Sequence, residues 1–162
     1  MARNSMSAQD RLEVMELMAR YQQCEDAGDA EGYAGCFTPD GVAEWANGKR
    51  TGREELREWM EEFVRGGVMG ANPARMRHFL SMPHIYEGDG QRCKAGTYLA
   101  IFVYAEAGQV TANSLWTYLD DIVKYEGEWL FEKRFMQIDL RSGADSASAG
   151  QTPRGGSSRL SQ

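Results

Sequence analysis

A chain of 162 residues is expected to form one domain with a sizeable core and is too short for two. Its 42% hydrophobic and 26% charged residues argue against global disorder, and its longest apolar run, 98–105, is too short to cross a bilayer. The net charge of −6 argues against nucleic acid as a partner, because phosphate binding depends on clustered Lys and Arg.

The N-terminal residues and the cysteines bear on location and redox state. Residues 1–10 lack the apolar core of a secretory signal, so we expect a cytoplasmic protein without a membrane partner. Cys24, Cys36 and Cys93 form an odd set without metal-ligand spacing, which indicates reduced thiols. We expect a flexible N-terminus at 1–7, a domain at 8–141 and a disordered Ser/Gly/Ala-rich tail at 142–162.

The first third of the domain has helical periodicity. Ser7 and Asp10 resemble a capping box and precede apolar positions at near-helical spacing, which predicts a helix over about 8–26 that stops at Gly28. Asp29 can cap a short second helix reaching about Phe37, before a turn at 38–41 and a short strand at 42–45. Thr51 can cap a third helix that ends at 66–67.

After the third helix the apolar pattern alternates. Strands are predicted at about 76–87, 92–106, 109–124 and 128–139, separated by short Gly-containing turns that require antiparallel neighbours. Helices followed by a long meander predict an α+β fold in which a curved antiparallel sheet wraps around the first helix.

Such a sheet, closed on one side by helices, encloses a conical apolar cavity suited to a small hydrophobic ligand. Nine methionines favour an adaptable interior. For each candidate lining residue, ordinary core packing is the favoured alternative. The candidates are Tyr21, Trp45, Met60, Met76, Phe102, Trp116 and Phe135.

His78 and Asp26 are the residues that could carry chemistry. No spacing of His, Cys or carboxylates predicts a metal site, and no phosphate loop, nucleophile elbow or dinucleotide fingerprint is present, so we expect no cofactor. The imidazole of His78 could remove a proton near neutral pH if a carboxylate fixed its tautomer. Asp26 could do so, and the pairing would offset its unfavourable place at a helix C-terminus. A satisfied core histidine and an exposed aspartate are the alternative.

Residues 8–139 resemble the SnoaL-like family of the cone-shaped α+β superfamily named after nuclear transport factor 2. The resemblance rests on Tyr21 in the first helix, Asp26 followed by Gly28-Asp29, His78 opening a long strand, and Arg134 after an aromatic strand. In the dehydratase and dehydrochlorinase branch these positions are functional. The resemblance implies that His78 is a general base oriented by Asp26, that Arg134 balances charge on the leaving group, and that Tyr21 binds a carbonyl.

The resemblance implies a cofactor-independent lyase, of dehydratase or dehydrohalogenase type, for a small hydrophobic substrate of steroid, terpenoid or polyketide character. There are two alternatives. One is an isomerase or cyclase that uses the same proton transfer, and the other is a non-catalytic module that binds a hydrophobic ligand or oligomerises. The competing interpretation of Arg134 is a strand-edge ion pair with Glu132 or a carboxylate of the tail. The competing interpretation of Tyr21 is helix-to-sheet packing.

The outer face of the sheet offers a surface for a second copy of the chain. Apolar and hydroxyl-bearing residues alternate along the third long strand, at Thr111, Asn113, Leu115, Thr117 and Leu119. The pattern indicates a homo-oligomer contact, and the family resemblance implies a homodimer or homotrimer.

Overall fold

Three helices and seven strands make up the part of the chain that the structure describes. The structure is a computed structural model covering residues 5–66, 76–104 and 108–141, so the tail predicted at 142–162 lies outside the described residues. The elements, in chain order, are α1 (Ala8–Ala27), α2 (Ala30–Gly35), β1 (Phe37–Trp45), β2 (Gly48–Thr51), α3 (Gly52–Arg65), β3 (Met76–Leu80), β4 (His84–Gly88), β5 (Arg92–Tyr104), β6 (Val110–Tyr125) and β7 (Glu128–Arg141).

The helix boundaries confirm the capping signals in the sequence. The Ser7 hydroxyl accepts a hydrogen bond from the Asp10 amide at 3.0 Å, which satisfies a free donor in the first turn of α1. Gly28 ends α1 in the left-handed region with φ 69°. Asp29 then caps α2 by accepting from the Gly32 amide at 2.9 Å. Thr51 precedes α3 without a side-chain cap, and its amide instead donates to Glu55.

The residues before α1 are fixed to the sheet. The Ser5 amide donates to the Gly88 carbonyl at 3.0 Å, and the Met6 side chain is buried in the core. Residues 5–7, assigned to a flexible N-terminus from the sequence, are therefore held against β4 where the structure describes them.

The strands form one curved, mixed sheet that is not closed into a barrel. Its order is β2-β1-β7-β6-β5-β3, with β4 also paired to β5. The predicted antiparallel meander is present in β5, β6 and β7, but β1 runs parallel to β7. Register shifts interrupt the ladders of β5 with β6 and of β6 with β7, and such bulges bend long strands.

Two strand predictions were wrong in their boundaries. The strand predicted at 76–87 is two strands, β3 and β4, with a break at 81–83 that contains Pro83, which lacks an amide donor. The turn predicted at 38–41 lies within β1, where a register shift between Phe37 and Val42 absorbs the extra residues. The short strand β2 was not predicted.

The core lies between α1 and the concave face of the sheet. Val14, Leu17, Met18 and Tyr21 of α1 are buried against aromatic and aliphatic residues of the strands. This packing places the C-terminal turn of α1 beside β3, where the candidate site lies. Within the described ranges, no helix is both long and apolar enough to span a membrane.

Candidate active site

Asp26 and His78 meet at the end of α1. His78 Nδ1 lies 2.6 Å from Asp26 Oδ1, and the His78 amide lies 3.5 Å from Asp26 Oδ2. The carboxylate therefore contacts both the ring and the backbone of His78. This contact offsets the cost of an acidic residue in the last turn of a helix, where the dipole disfavours negative charge.

The pleat of β3 turns His78 inward. Met76 and His78 are buried, whereas Arg77 and Phe79 between and after them are exposed, as expected for a strand with one covered face. His78 lies opposite Ile101 of β5 in the antiparallel register. Its side chain is 2% exposed, so the imidazole is fixed from two sides by protein.

The Asp26 contact selects one tautomer of His78. An ionised carboxylate can only accept hydrogen bonds, so Nδ1 carries the proton in the neutral ring. The lone pair is then on Nε2, which lies 3.8 Å from Glu25 Oε1. Both His78 and Glu25 line a cavity, so the base and the neighbouring acid share one wall.

Glu25 is a site residue that was not predicted from the sequence. It is 5% exposed, and its Oε2 has no hydrogen-bond partner among the described residues. Helical spacing places it inward, because it lies four residues after Tyr21 and seven after Met18 on the buried face of α1. That spacing could have identified it, but a carboxylate at such a position is usually expected to face solvent.

Burial and charge couple the protonation of Glu25 and His78. Burial raises the pKa of Glu25 above its usual range, against the opposing effects of His78 and Arg134. Burial alone would lower the pKa of His78, but the Glu25 and Asp26 carboxylates outweigh it and raise that pKa. Both groups therefore hold a proton more tightly than in water, and they compete for it across a 3.8 Å gap.

The cavity beside this cluster has a volume of about 610 Å³, which is the size of a site for a small organic molecule. Its wall is largely aromatic and aliphatic, with Trp59 stacked on Phe63 and Trp45 packed against Trp59. The lining residues are Glu25, Trp45, Trp59, Phe63, Met76, His78, Ile101, Val103, Tyr104, Asn113, Ser114, Trp116, Tyr118, Met136 and Arg141.

Of the seven predicted lining residues, Trp45, Met76 and Trp116 line this cavity and the other four do not. Met60 of α3 is fully buried in the core. Phe102 alternates with the cavity residues Ile101 and Val103, and its ring packs against exposed Phe79 on the other face of the sheet.

Phe135 is excluded from the cavity by the same alternation. It lies between Arg134 and Met136, which both point inward and are buried. A strand cannot turn Arg134 and Phe135 to one face without a bulge, so the predictions for these two neighbours were mutually incompatible.

Arg134 is enclosed in the core, away from the cavity wall. Its guanidinium donates to both carboxylate oxygens of Asp120, at 2.7 and 2.8 Å, and its side chain is 0% exposed. The ring centres of Tyr21, Tyr118 and Phe131 lie 4.0 to 4.5 Å from its Cζ atom. Burial by itself would lower the pKa of Arg134, but Asp120 raises it; burial raises the pKa of Asp120 against the opposing effect of Arg134. Arg134 thus forms a structural ion pair, but in the core with Asp120 and not at a strand edge with Glu132, which pairs with Arg92.

Tyr21 is likewise a packing residue. Its side chain is fully buried, and its hydroxyl pairs with the Tyr33 hydroxyl at 3.3 Å. It is not among the residues that line the cavity, so its position does not fit a contact with a substrate carbonyl. Tyr118, which does line the cavity, presents a phenol there instead.

The described residues contain no group of three or more His, Cys, Asp or Glu side chains that could hold a metal ion. The three cysteines are free thiols, and two of them are buried.

Comparison with known proteins identifies the fold class and then the family. Solved structures with the same fold include a protein of unknown function with a cystatin-like fold from Nostoc punctiforme. Its sequence is 26% identical, the match covers 83% of this chain and 95% of that one, and the TM-score is 0.72. The family model described as SnoaL-like domain matches residues 6–134. The chain belongs to the SnoaL-like family, within the cone-shaped fold of nuclear transport factor 2-like proteins.

Two further solved structures are similar in sequence as well as fold. A variant of Rv3472, a function-unknown protein from Mycobacterium tuberculosis, shares 29% identity over 79% of this chain and 70% of that one, with a TM-score of 0.69. A structure from Catenulispora acidiphila in complex with S-DNPA shares 26% identity over 82% and 96%, also at 0.69. No curated protein sequence gives a significant match.

Proposed function

We propose that this protein is a cofactor-independent lyase, of dehydratase or dehydrohalogenase type, that acts on a small hydrophobic substrate. The observation that carries the proposal is the 2.6 Å contact between His78 Nδ1 and Asp26 Oδ1 beside an apolar cavity of about 610 Å³. A base, a residue that orients it and a substrate-sized hollow are the parts that proton abstraction from carbon requires.

His78 is the general base in this mechanism. Its Nε2 removes a proton from a carbon next to a carbonyl, and the resulting imidazolium is stabilised by Asp26. Because the imidazole is buried, solvent competes little for the lone pair or for the developing charge. General-base catalysis of this kind contributes roughly 10²–10⁴-fold to the rate.

The cavity wall favours a ring-shaped, apolar substrate. Three neighbouring aromatic side chains, Trp45, Trp59 and Phe63, line it, and such a wall suits a fused-ring skeleton of steroid, terpenoid or polyketide character. The complex of the Catenulispora acidiphila structure with S-DNPA supports ligand binding by a related protein.

Isomerisation or cyclisation of a similar substrate is the second candidate. The same buried base could return its proton to a different carbon, and the dry surroundings of His78 favour retention of that proton. The mass of the product separates the candidates, because elimination lowers it and isomerisation leaves it unchanged.

The test uses the β-hydroxy derivative of α-tetralone, a fused-ring ketone that loses water to form fluorescent α-naphthol. His78→Ala and Asp26→Asn should lower turnover by about 10²–10⁴-fold, with ligand affinity and the circular dichroism spectrum retained. His84→Ala, at the other histidine, is the matched control because His84 is exposed on β4. Ligand binding without turnover in the unaltered protein would favour a non-catalytic binding module.

We also propose that the protein is a homodimer or homotrimer through the outer face of the sheet. Phe79, Tyr98, Leu115 and Leu119 are exposed there on β3, β5 and β6, and Tyr98 is 71% exposed. Asn113 does not belong to this face, since it is the extra residue of a bulge and lines the cavity. Light scattering should give two or three chains, and one chain for Tyr98→Glu. A monomer in the unaltered protein would contradict the proposal.

A further inference from the structure

Glu25 has the position of a catalytic acid. Among the described residues that line the cavity, it is the one with an acidic side chain. It is only 5% exposed, and its Oε2 has no hydrogen-bond partner among the described residues. An ionised carboxylate that is buried without a partner is unfavourable in free energy. Such a group therefore either binds a proton or accepts a hydrogen bond from a bound ligand. Its other oxygen, Oε1, lies 3.8 Å from Nε2 of the proposed base.

We propose that Glu25 is the general acid of this site and that the group lost from the substrate is a hydroxyl rather than a halide. The proposal rests on the proposed function of His78 as base. A hydroxyl must be protonated to leave as water, whereas a halide leaves as an anion and needs a cation or other donors to stabilise it.

The charges around the cavity favour the hydroxyl. The family resemblance implied that Arg134 balances charge on the leaving group. Arg134 is instead buried in the core, where it pairs with Asp120. Among the described residues that line the cavity, Arg141 at the end of β7 is the remaining cation apart from a protonated His78. The position next to the base is occupied by an acid instead, which can give its proton to a departing hydroxyl.

The step balances without a further reactant. His78 Nε2 takes the proton from carbon, the C–H electron pair forms the C=C bond, and the C–O bond breaks as the Glu25 proton joins the oxygen. Water leaves, and the site holds an imidazolium and a carboxylate. Transfer of the proton from Nε2 to Glu25, which lie on the same wall, restores the starting state.

The scheme requires that Glu25 and Nε2 of His78 together hold one proton. A second proton at low pH would block the base, and loss of the last proton at high pH would remove the acid, so the activity should have a maximum between the two limits. The other charged or titratable groups near Glu25 are Asp26 of α1, Arg134 of β7, and the hydroxyls of Tyr21, Tyr33 and Tyr118.

The shared proton can be tested without any substrate, by heteronuclear NMR titration of the full chain. Glu25→Gln keeps the shape of the side chain and removes its charge, so it should lower the pKa of His78, which the carboxylate now raises. His84 supplies the second histidine signal as an internal reference, assigned with His84→Gln. An unchanged pKa of His78 in Glu25→Gln would overturn the inference.

The acid role is tested with two probes, the β-hydroxy and β-chloro derivatives of α-tetralone, which give the same α-naphthol. Glu25→Gln should lower the ratio of hydroxyl to chloride elimination rates by about 100-fold and remove the high-pH limb of the hydroxyl profile. His78→Ala should lower both rates. An equal loss with both probes in Glu25→Gln would overturn the acid role and leave the base intact. Failure of the unaltered protein to convert either probe would count against the proposed function. It would not contradict the sharing of a proton between Glu25 and His78, which the NMR titration tests.

Discussion

Replacing Asp120 by Asn should destabilise the fold strongly, because it leaves the Arg134 guanidinium as a buried, unbalanced charge. The two side chains are both 0% exposed, and Arg134 donates twice to the carboxylate, at 2.7 and 2.8 Å. Three aromatic rings surround the cation but supply no anionic partner.

The expected cost is about 3–5 kcal/mol, the range observed when one member of a buried ion pair is removed. That is a large share of the roughly 5–15 kcal/mol by which a domain is stable. Arg134→Met should cost less, because Met fills much of the space and leaves Asp120 able to take up a proton. The double variant should be more stable than the sum of the single losses predicts, which gives a favourable coupling energy.

Urea unfolding followed by fluorescence measures these free energies. Asp121→Asn is the matched control, since Asp121 is the next residue, is 42% exposed and pairs with Lys94 at the surface. Its cost should stay within about 1 kcal/mol. A loss below about 1 kcal/mol in Asp120→Asn would refute the structural role. So would an Arg134→Met protein of full stability that has lost its catalytic activity.

Three further predictions concern the helices and the pH dependence. Gly28→Ala should cost about 1–2 kcal/mol in thermal unfolding, since φ is 69° there, whereas Gly35→Ala, where a Cβ meets nothing within 4 Å, should be nearly neutral. Met60→Ala should lose about 2–5 kcal/mol as a core deletion without altering ligand affinity. The free energy of unfolding should fall as pH rises above the unfolded-state value of 6.5 for histidine, because the raised pKa of His78 favours the folded state only while the ring is protonated. Glu25→Gln should flatten that slope, and flat wild-type stability across this range would contradict the proposed coupling.

Local signals in the sequence were sufficient for the boundaries of α1 and α2. Ser7, Gly28 and Asp29 act through contacts with residues at most four positions away, so their effects can be read from the chain itself. For Asp26, the conflict between an acid and the negative end of a helix dipole suggested a basic partner, and an exposed aspartate was the alternative. The choice of His78, 52 residues later, came from the family resemblance.

Long-range pairings were beyond what the sequence pattern could predict. The parallel contact of β1 with β7 joins Phe37 to Phe131, and nothing local distinguishes it from an exposed edge. The partner of Arg134 is Asp120, fourteen residues earlier, and only the register of β6 with β7 places them opposite each other.

The inner and outer faces of the strands depend on bulges as much as on alternation. Asn113 reaches the cavity because the ladder of β5 with β6 skips it between Ser114 and Ala112. A single extra residue reverses the direction of every later side chain, so a strict period of two assigns Asn113 to the wrong face.

The most direct test of His78 as a base needs no leaving group. Unsubstituted α-tetralone, dissolved with the protein in deuterium oxide, exchanges the protons next to its carbonyl when a base removes them, and proton NMR follows the loss. The unaltered protein should accelerate this exchange, and His78→Ala should reduce the acceleration by about 10²–10⁴-fold with α-tetralone still bound. Equal exchange rates in both proteins at saturating ketone would contradict the assignment of His78 as the base.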